Sequence, residues 1–181
     1  MSPVPTVKLR PATDDDRDLV LRWRNHEVVR QASFTTHVIA PDEHAAWWSR
    51  VAADDSRHVL IACADDVPVG VVILNEAEPG TETGGGADWS FYLDVDGLEA
   101  RRALLPTWIA TEIATLDHAF GPAGYAELRG EALARNSAVV KLHERFGFTV
   151  TGEYQREVDG ETETVLRYAL TAAAYRKEGT A

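Results

Sequence analysis

The sequence predicts a mixed α/β fold, in which a central sheet of about seven strands carries helices on both faces. Segments that alternate apolar and polar residues interleave with segments of helical periodicity, in the order β-α-α-β-β-β-α-β-α-β-β. Strand-helix-strand steps make neighbouring strands parallel, whereas tight hairpins make them antiparallel, so we expect a mixed sheet. The 181 residues are about the length of one domain, and we expect residues 1–181 to form one.

The N-terminal half supplies four strands and two helices. "TVKLRPA" alternates as a strand does, "TDDDRDLVLRWRNH" follows as a helix capped by Thr13, and "PDEHAAWWSRVA" is a second helix with Pro41 at its first position. "RHVLIACADDVPVGVVILNEA" predicts two strands joined by a tight turn at Asp65-Asp66. A loop is predicted at "EPGTETGGG", and "ADWSFYLDVDG" is the fourth strand.

The C-terminal half begins with a helix, "RRALLPTWIATEIATLDHAF", with Pro106 near its start. Its apolar stripe is expected to comprise Leu105, Ile109, Ile113, Leu116 and Phe120. "YAELRGEAL" is the fifth strand, and "NSAVVKLHERFGF" is a helix capped by Asn136 and ended by Gly147. The dipeptide Asp159-Gly160 predicts a type I′ hairpin between the last two strands.

The overall charge restricts the class of partner. A formal net charge of -11 argues against duplex nucleic acid and against an anionic membrane, since both require clustered cations. The single cysteine, Cys63, lies in an apolar run and fits a reducing compartment, and no apolar segment is long enough to cross a membrane. We therefore expect a cytoplasmic protein that binds a small molecule or a cationic peptide. The oligomeric state is open, with a homodimer as one option.

His143 is the first candidate for chemistry. With Val139, Leu142 and Phe146 it forms a stripe at positions i, i+3, i+4 and i+7, so its imidazole points inward. An inward histidine is either a core residue or a functional group, and the spacing alone leaves both open. The sequence has no HExxH or CxxC motif and no G-x-S-x-G elbow, so neither a metal site nor a serine hydrolase is expected.

The run "ELRGEALARNSAVVKLHERFGFTVTGEY", together with the order of elements, resembles the GNAT acyltransferase superfamily, which moves an acetyl group from acetyl-coenzyme A to an amine. "LRWRNH" and "PDEH" further resemble the acetyltransferases of nucleotide-linked amino sugars, such as those of pseudaminic acid synthesis. The resemblance implies a GNAT-like sheet in which strands 4 and 5 splay apart. It also implies acetyl-CoA as cosubstrate and no metal.

The resemblance implies specific catalytic roles. The backbone amides near Tyr92 and Leu93 would face the thioester. Glu131 is the candidate general base, although an ion pair with an arginine such as Arg129 is an equally good interpretation. His143 stands where the superfamily usually has a tyrosine that protonates the departing sulfur, so it is the candidate general acid.

The coenzyme site departs from the family pattern. The family has a glycine-rich turn before the crossover helix, and this chain has "ALLPTW", in which Pro106 has no N–H to offer a pyrophosphate. The amides of Thr107 to Ile109 would then serve. The candidate coenzyme contacts in this part of the chain and on the last helix are Arg101, Arg102, Thr107, Trp108, Asn136 and Arg145.

Other residues are candidates for the acceptor site. Arg24 suits a phosphate and the aromatic rings suit a sugar. The candidate acceptor contacts are Arg24, Asn25, Phe34, His44, Trp47, Asn75 and Trp89. Where the amino-sugar enzymes carry threonine and lysine, this chain has Asn75 and Glu76, and a carboxylate is unfavourable for a diphosphate.

Three functions follow from these features. The first is acetyl transfer to an amino sugar, nucleotide-linked, in a ternary complex. The second keeps this chemistry but acts on a protein N-terminus, as the ribosomal-protein acetyltransferases do, or on another small amine. The third is a non-catalytic module that binds acyl-CoA weakly or not at all.

Overall fold

The structure is a computed structural model that describes residues 4–77 and 85–178. Its centre is a seven-stranded sheet in the order β1-β2-β3-β4-β5-β7-β6, in which β4 and β5 are parallel and the other neighbours are antiparallel. The strands are β1 Val7–Pro11, β2 Arg57–Ala64, β3 Val67–Glu76, β4 Gly86–Leu93, β5 Glu127–Leu133, β6 Thr149–Val158 and β7 Glu161–Thr171. The predicted mixed sheet of seven strands is confirmed.

The described helices cover both faces of the sheet. They are α1 Arg17–Arg24, α2 Glu27–Gln31, α3 Pro41–Ala52, α4 Val95–Ala100, α5 Leu104–Phe120, α6 Ser137–Arg145 and α7 Ala172–Glu178. Leu60 and Val72 lie in the core under α5 and α6, whereas their neighbours Ile61 and Val71 lie in the core with Val20 of α1. Alternation along β2 and β3 therefore supplies apolar side chains to two separate cores.

Both predicted hairpin turns are present. Asp65 and Asp66 have φ of 50° and 65°, and Asp159 and Gly160 have φ of 53° and 77°. Positive φ at both central residues is the type I′ geometry that matches the twist of the flanking strands. The predicted loop at "EPGTETGGG" lies mostly at residues 78–84, outside the described residues, and β4 already begins at Gly86.

The predicted apolar stripe of α5 is wrong. Leu105 is 60% exposed and Ile113 is 40% exposed, and of the five predicted residues only Leu116 is fully buried. The buried face instead carries small and polar residues, namely Thr107, Ala110, Thr111, Glu112, Thr115, Leu116 and Ala119.

Hydrogen bonds within the helix explain why threonine can occupy this buried face. The hydroxyl of Thr111 donates to the carbonyl of Thr107 at 2.8 Å, and that of Thr115 donates to Thr111 at 2.7 Å. A hydroxyl bonded to the preceding turn carries little penalty for burial.

The sequence pattern did not predict α2, α4 and α7 as separate helices, because they have only five to seven residues each.

Candidate active site

A gap between β4 and β5 forms the centre of the candidate site. The two strands pair only from Gly86–Asp88 to Glu127–Arg129, although β4 continues to Leu93 and β5 to Leu133. On their outer sides both strands stay paired to their ends, β4 with β3 and β5 with β7. The predicted splaying of strands 4 and 5 is therefore present.

The register of β4 shows which amides face this gap. The Asp94 amide donates to the Val69 carbonyl of β3 at 2.8 Å, so alternate residues of β4, Tyr92 among them, direct their backbone groups to β3. The amides of Phe91 and Leu93 then point toward the gap. Leu93 thus stands where the resemblance requires an amide donor, whereas Tyr92 contributes its side chain to the site.

A cavity of about 1190 Å³ opens from the gap, which is large enough for more than one small ligand. It brings together residues from both halves of the chain. The predicted site residues that line it are Arg24, Phe34, His44, Trp47, Asn75, Trp89, Tyr92, Leu93, Trp108, Glu131, Asn136 and His143. The remaining ones, Asn25, Arg101, Arg102, Thr107 and Arg145, do not.

His143 reaches the cavity from α6 and is 4% exposed. Its Nδ1 lies 2.7 Å from Oε1 of Glu112 on α5, a fully buried carboxylate. Aromatic rings surround the imidazole, with the Tyr168 centroid at 4.6 Å and those of Trp89 and Phe148 at 5.4 and 5.5 Å. Since Nδ1 is bonded to Glu112, Nε2 is the ring nitrogen left for a ligand.

Asn136 occupies the cap position of α6, as predicted, but its side chain makes no capping hydrogen bond. It lines the cavity instead. Helix capping therefore does not account for this side chain, whose amide is available to a ligand. Arg145, at the other end of α6, is exposed and lies outside the cavity.

Glu131 lines the cavity on β5 and is held by two neighbours. Its Oε1 accepts from Arg167 Nε at 3.2 Å, directly across the strand pair, and its Oε2 accepts from the Tyr154 hydroxyl at 3.0 Å. An arginine partner is thus present, although it is Arg167 and not Arg129. Arg129 instead pairs with Asp88 at 3.0 Å.

Arg24, a predicted acceptor contact, lines the cavity, and only one of its two terminal nitrogens has a hydrogen-bond partner among the described residues. Nη2 donates to the Thr35 carbonyl at 3.0 Å, whereas Nη1 is buried and has no hydrogen-bond partner among the described residues. Burial lowers the pKa of Arg24, and the nearby Tyr92 phenol opposes that shift. Asn25 is structural, because its side chain both donates to and accepts from the Ile39 backbone, at 2.9 and 2.8 Å.

Aromatic residues form the wall near Arg24. The His44 ring packs against Trp47 with centroids 5.3 Å apart and ring planes tilted by 32°. Burial, followed by the charge of Arg17, lowers the pKa of His44, which favours its neutral form. Its Nε2 is buried without a hydrogen-bond partner among the described residues. Phe34 packs against the core near Leu133 and has one face covered by the Arg156 guanidinium at 4.4 Å.

Further unsatisfied polar atoms lie at the cavity wall. Asn75 Oδ1, Trp89 Nε1 and Trp108 Nε1 are buried and have no hydrogen-bond partner among the described residues. Glu76 is not among the described residues that line the cavity, and its carboxylate pairs with His58 at 2.8 Å. The expected conflict between this carboxylate and a diphosphate therefore does not arise at the cavity.

The start of α5 differs from the predicted amide arrangement. The helix begins at Leu104, and the Thr107 amide donates to the Ala103 carbonyl at 2.9 Å, with Thr107 itself buried. The amides that have no intrahelical acceptor are therefore those of Leu104 and Leu105, one turn earlier than expected. They precede Pro106, so the proline removes only the third free donor of the helix.

Cations stand beside these free amides. Arg101 and Arg102 are exposed, and Arg102 adopts φ of 56° and lines a small pocket with Leu105, Pro106 and Trp108. A helix N-terminus with adjacent arginines favours an anion. This end of α5 therefore suits the pyrophosphate of a coenzyme despite the lack of glycine.

Sequence reasoning did not single out Glu112, Tyr154, Arg167 or Tyr168. The only available signal for Glu112 was its i, i+4 and i, i+3 relation to the buried residues Leu116 and Thr115, which a hydrophobic pattern does not register. Burial, followed by the charges of Glu112 and Glu131, raises the pKa of Tyr168, so its phenol stays protonated beside His143. Among the described residues no cluster suited to a metal ion occurs.

A family model described as "Acetyltransferase (GNAT) domain" matches residues 6–149. This chain belongs to the GNAT acetyltransferase family. Family members transfer an acyl group from acetyl-CoA to an amine, and the chain is accordingly an acetyl-CoA-dependent N-acyltransferase. No described helix has the length and hydropathy needed to cross a membrane. A search of curated proteins gave no match.

Solved structures of GNAT enzymes share this fold. Spermidine N-acetyltransferase from Vibrio cholerae, in complex with CoA and spermine, superimposes with a TM-score of 0.78 at 18% identity, over 94% of this chain and 98% of that one. An N-acetyltransferase from Staphylococcus aureus Mu50 gives 0.68 at 19% identity, over 92% and 99%. The yncA protein of Salmonella typhimurium, solved with acetyl-CoA, gives 0.65 at 18% identity, over 92% and 94%. The TM-scores show a common fold, and identities this low do not identify the acceptor of this chain.

Proposed function

We propose that this GNAT enzyme acetylates the primary amine of an amino sugar that carries a negatively charged group, as a nucleotide-linked sugar does. Both substrates bind together, so that the acceptor nitrogen attacks the thioester directly in the gap between β4 and β5. The Leu93 amide supports the developing oxyanion, Glu131 takes the amine proton through water, and His143 donates a proton to the departing sulfur.

The charged side chains that line the cavity favour an anionic acceptor over a cationic one. The carboxylates that line it already have cationic or ionisable partners: Glu43 has His37 at 3.0 Å, Asp88 has Arg129 at 3.0 Å, and Glu131 has Arg167 at 3.2 Å. No carboxylate of the described lining is therefore left over for the extra ammonium groups of a polyamine. Arg24, by contrast, holds a buried N–H that needs an acceptor.

An anionic group on the acceptor would supply the hydrogen-bond partner that the buried Arg24 N–H lacks. A buried donor without a partner costs about 1–3 kcal/mol, and a hydrogen bond that involves a charged group returns about 1.5–3 kcal/mol. The unsatisfied oxygen of Asn75 and ring N–H of Trp89 suit sugar hydroxyls, and Trp47 offers an aromatic surface beside them. These features support a polar, anionic acceptor over a polyamine.

Release of free thiol from acetyl-CoA tests the proposal across UDP-glucosamine, glucosamine, spermidine and a basic hexapeptide. We expect kcat/KM for UDP-glucosamine to exceed that for spermidine by at least about tenfold, since one charge-assisted hydrogen bond is worth that much. Equal or faster turnover of spermidine or the peptide refutes the acceptor class. A lack of thiol release with all four of these acceptors also refutes it.

A single substitution tests the role of Arg24. Arg24→Gln removes the charge and should raise KM for UDP-glucosamine about 10- to 100-fold, while KM for acetyl-CoA stays within about twofold. Arg22→Gln is the matched control, because Arg22 lies on the same helix but is exposed and outside the cavity. Equal effects of both substitutions would mean that Arg24 does not contact the acceptor.

A further inference from the structure

A buried acid and a buried imidazole meet where α5 and α6 pack together. Glu112 is 0% exposed and His143 is 4% exposed, and Oε1 lies 2.7 Å from Nδ1. The second carboxylate oxygen, Oε2, is also buried and has no hydrogen-bond partner among the described residues. His143 is therefore the one group of the described chain that bonds to this carboxylate.

The surroundings of the pair offer little other stabilisation of charge. The rings of Trp89, Phe148 and Tyr168 pack against the imidazole. Tyr168 is the other titratable group packed on it, and its phenol is neutral because burial, and then the charges of Glu112 and Glu131, raise its pKa. A net charge on the Glu112–His143 pair would thus be buried with no counterion beside it in the described part of the chain, which is costly.

Counting protons shows what this means for Nε2. With one proton, held in the bond between Oε1 and Nδ1, the pair has a net charge of -1 and Nε2 is bare. With two protons the pair has no net charge, and the second proton has two possible positions. On Oε2 it would be a buried donor without an acceptor, whereas on Nε2 it faces the cavity, where a ligand or water can accept it. The neutral pair therefore carries its second proton on Nε2.

We propose that Glu112 is a positioning residue that keeps a proton on Nε2 of His143 for delivery to the leaving sulfur. The proposal rests on the acetyl transfer proposed above. As the acceptor nitrogen bonds to the carbonyl carbon, the carbon–sulfur bond breaks with its electron pair on sulfur. The proton on Nε2 passes to that sulfur, and the proton lost by the nitrogen passes to Glu131. Solvent then restores the proton on Nε2 and removes the one from Glu131.

This arrangement explains how histidine can replace the usual tyrosine of the family. A free histidine titrates near neutral pH and is an unreliable proton donor there. A buried carboxylate at Nδ1 makes the protonated imidazole part of a pair without net charge. It also fixes the ring orientation, so that Nδ1 cannot exchange places with Nε2.

Nitrogen NMR of the imidazole tests the proposal without any acceptor. In the wild-type enzyme at pH 7.5, long-range ¹H–¹⁵N correlations should show Nε2 of His143 protonated, with the signal assigned by its loss in His143→Phe. Glu112→Gln keeps the size of the side chain but removes its charge, so the ring should become neutral and one of its two nitrogens should lose its proton. A bare Nε2 in the wild type, or an unchanged ring in Glu112→Gln, overturns the proposal.

Kinetics separate positioning from mere packing. With UDP-glucosamine, Glu112→Gln should lower kcat about 10- to 100-fold, which is part of the roughly 10²- to 10⁴-fold that general acid catalysis contributes, while both KM values stay within about twofold. Thr115→Val is the matched control, because it removes a buried hydroxyl from the same helix face without touching His143. Similar losses in both variants, or an unchanged kcat in Glu112→Gln, overturn the role. If Glu112→Gln does not fold, the wild-type spectrum decides alone. If no acceptor turns over while Nε2 is protonated, the proposed function fails and the protonation of the pair stands.

Discussion

Gly130 of β5 should tolerate no side chain, because the ring of Tyr168 occupies the space that a Cβ needs. A methyl group at Gly130 would lie 2.5 Å from both Cε2 and Oη of Tyr168. Ordinary contact distances are about 3.5–4.0 Å, so the ring would have to move by about 1 Å or more. Tyr168 is 7% exposed and packs on His143 and Phe148, which leaves it little room.

Gly130→Ala is therefore expected to destabilise the fold and to disturb the site together. Overpacking of this kind costs about 1–3 kcal/mol, which corresponds to a fall in Tm of about 2–12 °C for a domain of this size. Because the ring contacts His143, kcat should also fall. Thermal unfolding by calorimetry and thiol release measure the two effects.

Gly152→Ala is the matched control for this prediction. Gly152 also lies in a strand, β6, but no atom of the described residues comes within 4 Å of an added Cβ, so its replacement should be neutral or slightly stabilising. Equal Tm values for the two alanine variants would refute the placement of Tyr168 over Gly130. A lowered Tm with an unchanged kcat would instead show that the ring moves away from His143.

Three further tests address the proposed proton carriers and the stability of the N-terminal region. His143→Phe should lower kcat about 10²- to 10⁴-fold while the Kd for CoA stays within about threefold, and equal losses of kcat and of CoA affinity would mean that His143 serves only in packing. Glu131→Gln should lower kcat far more than Arg167→Gln, and equal losses of kcat would mean that Glu131 serves only in the ion pair. The Asp16 carboxylate accepts from both Arg10 Nη atoms, at 2.7 and 2.8 Å. Asp16→Asn should lower the free energy of unfolding by about 1–3 kcal/mol, and not by more, because Arg10 is partly exposed and solvent weakens the pair. The Arg10 hydrogen bonds lower the pKa of Asp16 below its unfolded value of about 3.9, so this stabilisation is present above about pH 4 and is lost as the pH falls through the folded pKa. Urea unfolding at pH 2 to 6 should show that Asp16→Asn loses this acid dependence. An unchanged pH profile of stability in the variant would contradict the assignment.

The sequence predicted helix α6 well, because two kinds of signal agreed there. In α6 the helical spacing of Val139, His143 and Phe146 coincided with a cap residue before it and Gly147 after it, and Gly147 has φ of 89° in the structure. The inward direction of His143 followed from that spacing alone. Its role did not, because spacing reports burial and says nothing of the partner on another helix.

Hydrophobic spacing failed in α5 for a physical reason. Large aliphatic residues indicate a buried face only when the partner surface leaves room for them. Here the face next to the sheet is filled by threonines that bond to their own helix, and Leu105 and Ile113 point outward. Glu112 was overlooked for the same reason, since a carboxylate reads as a surface residue unless its partner is known.

The splayed strands show how the fold makes a reactive site at modest cost. Each strand keeps its outer partner to its end, through Leu93 on β4 and Leu133 on β5, so the gap leaves unpaired only the backbone groups of the two inner edges. Buried amides without partners would destabilise the fold, but those of Phe91 and Leu93 face a cavity that admits water or a ligand. The free amides that the proposed mechanism assigns to the oxyanion thus result from the end of strand pairing at Asp88. A substitution that extended this pairing as far as Leu93 would stabilise the sheet and remove these donors.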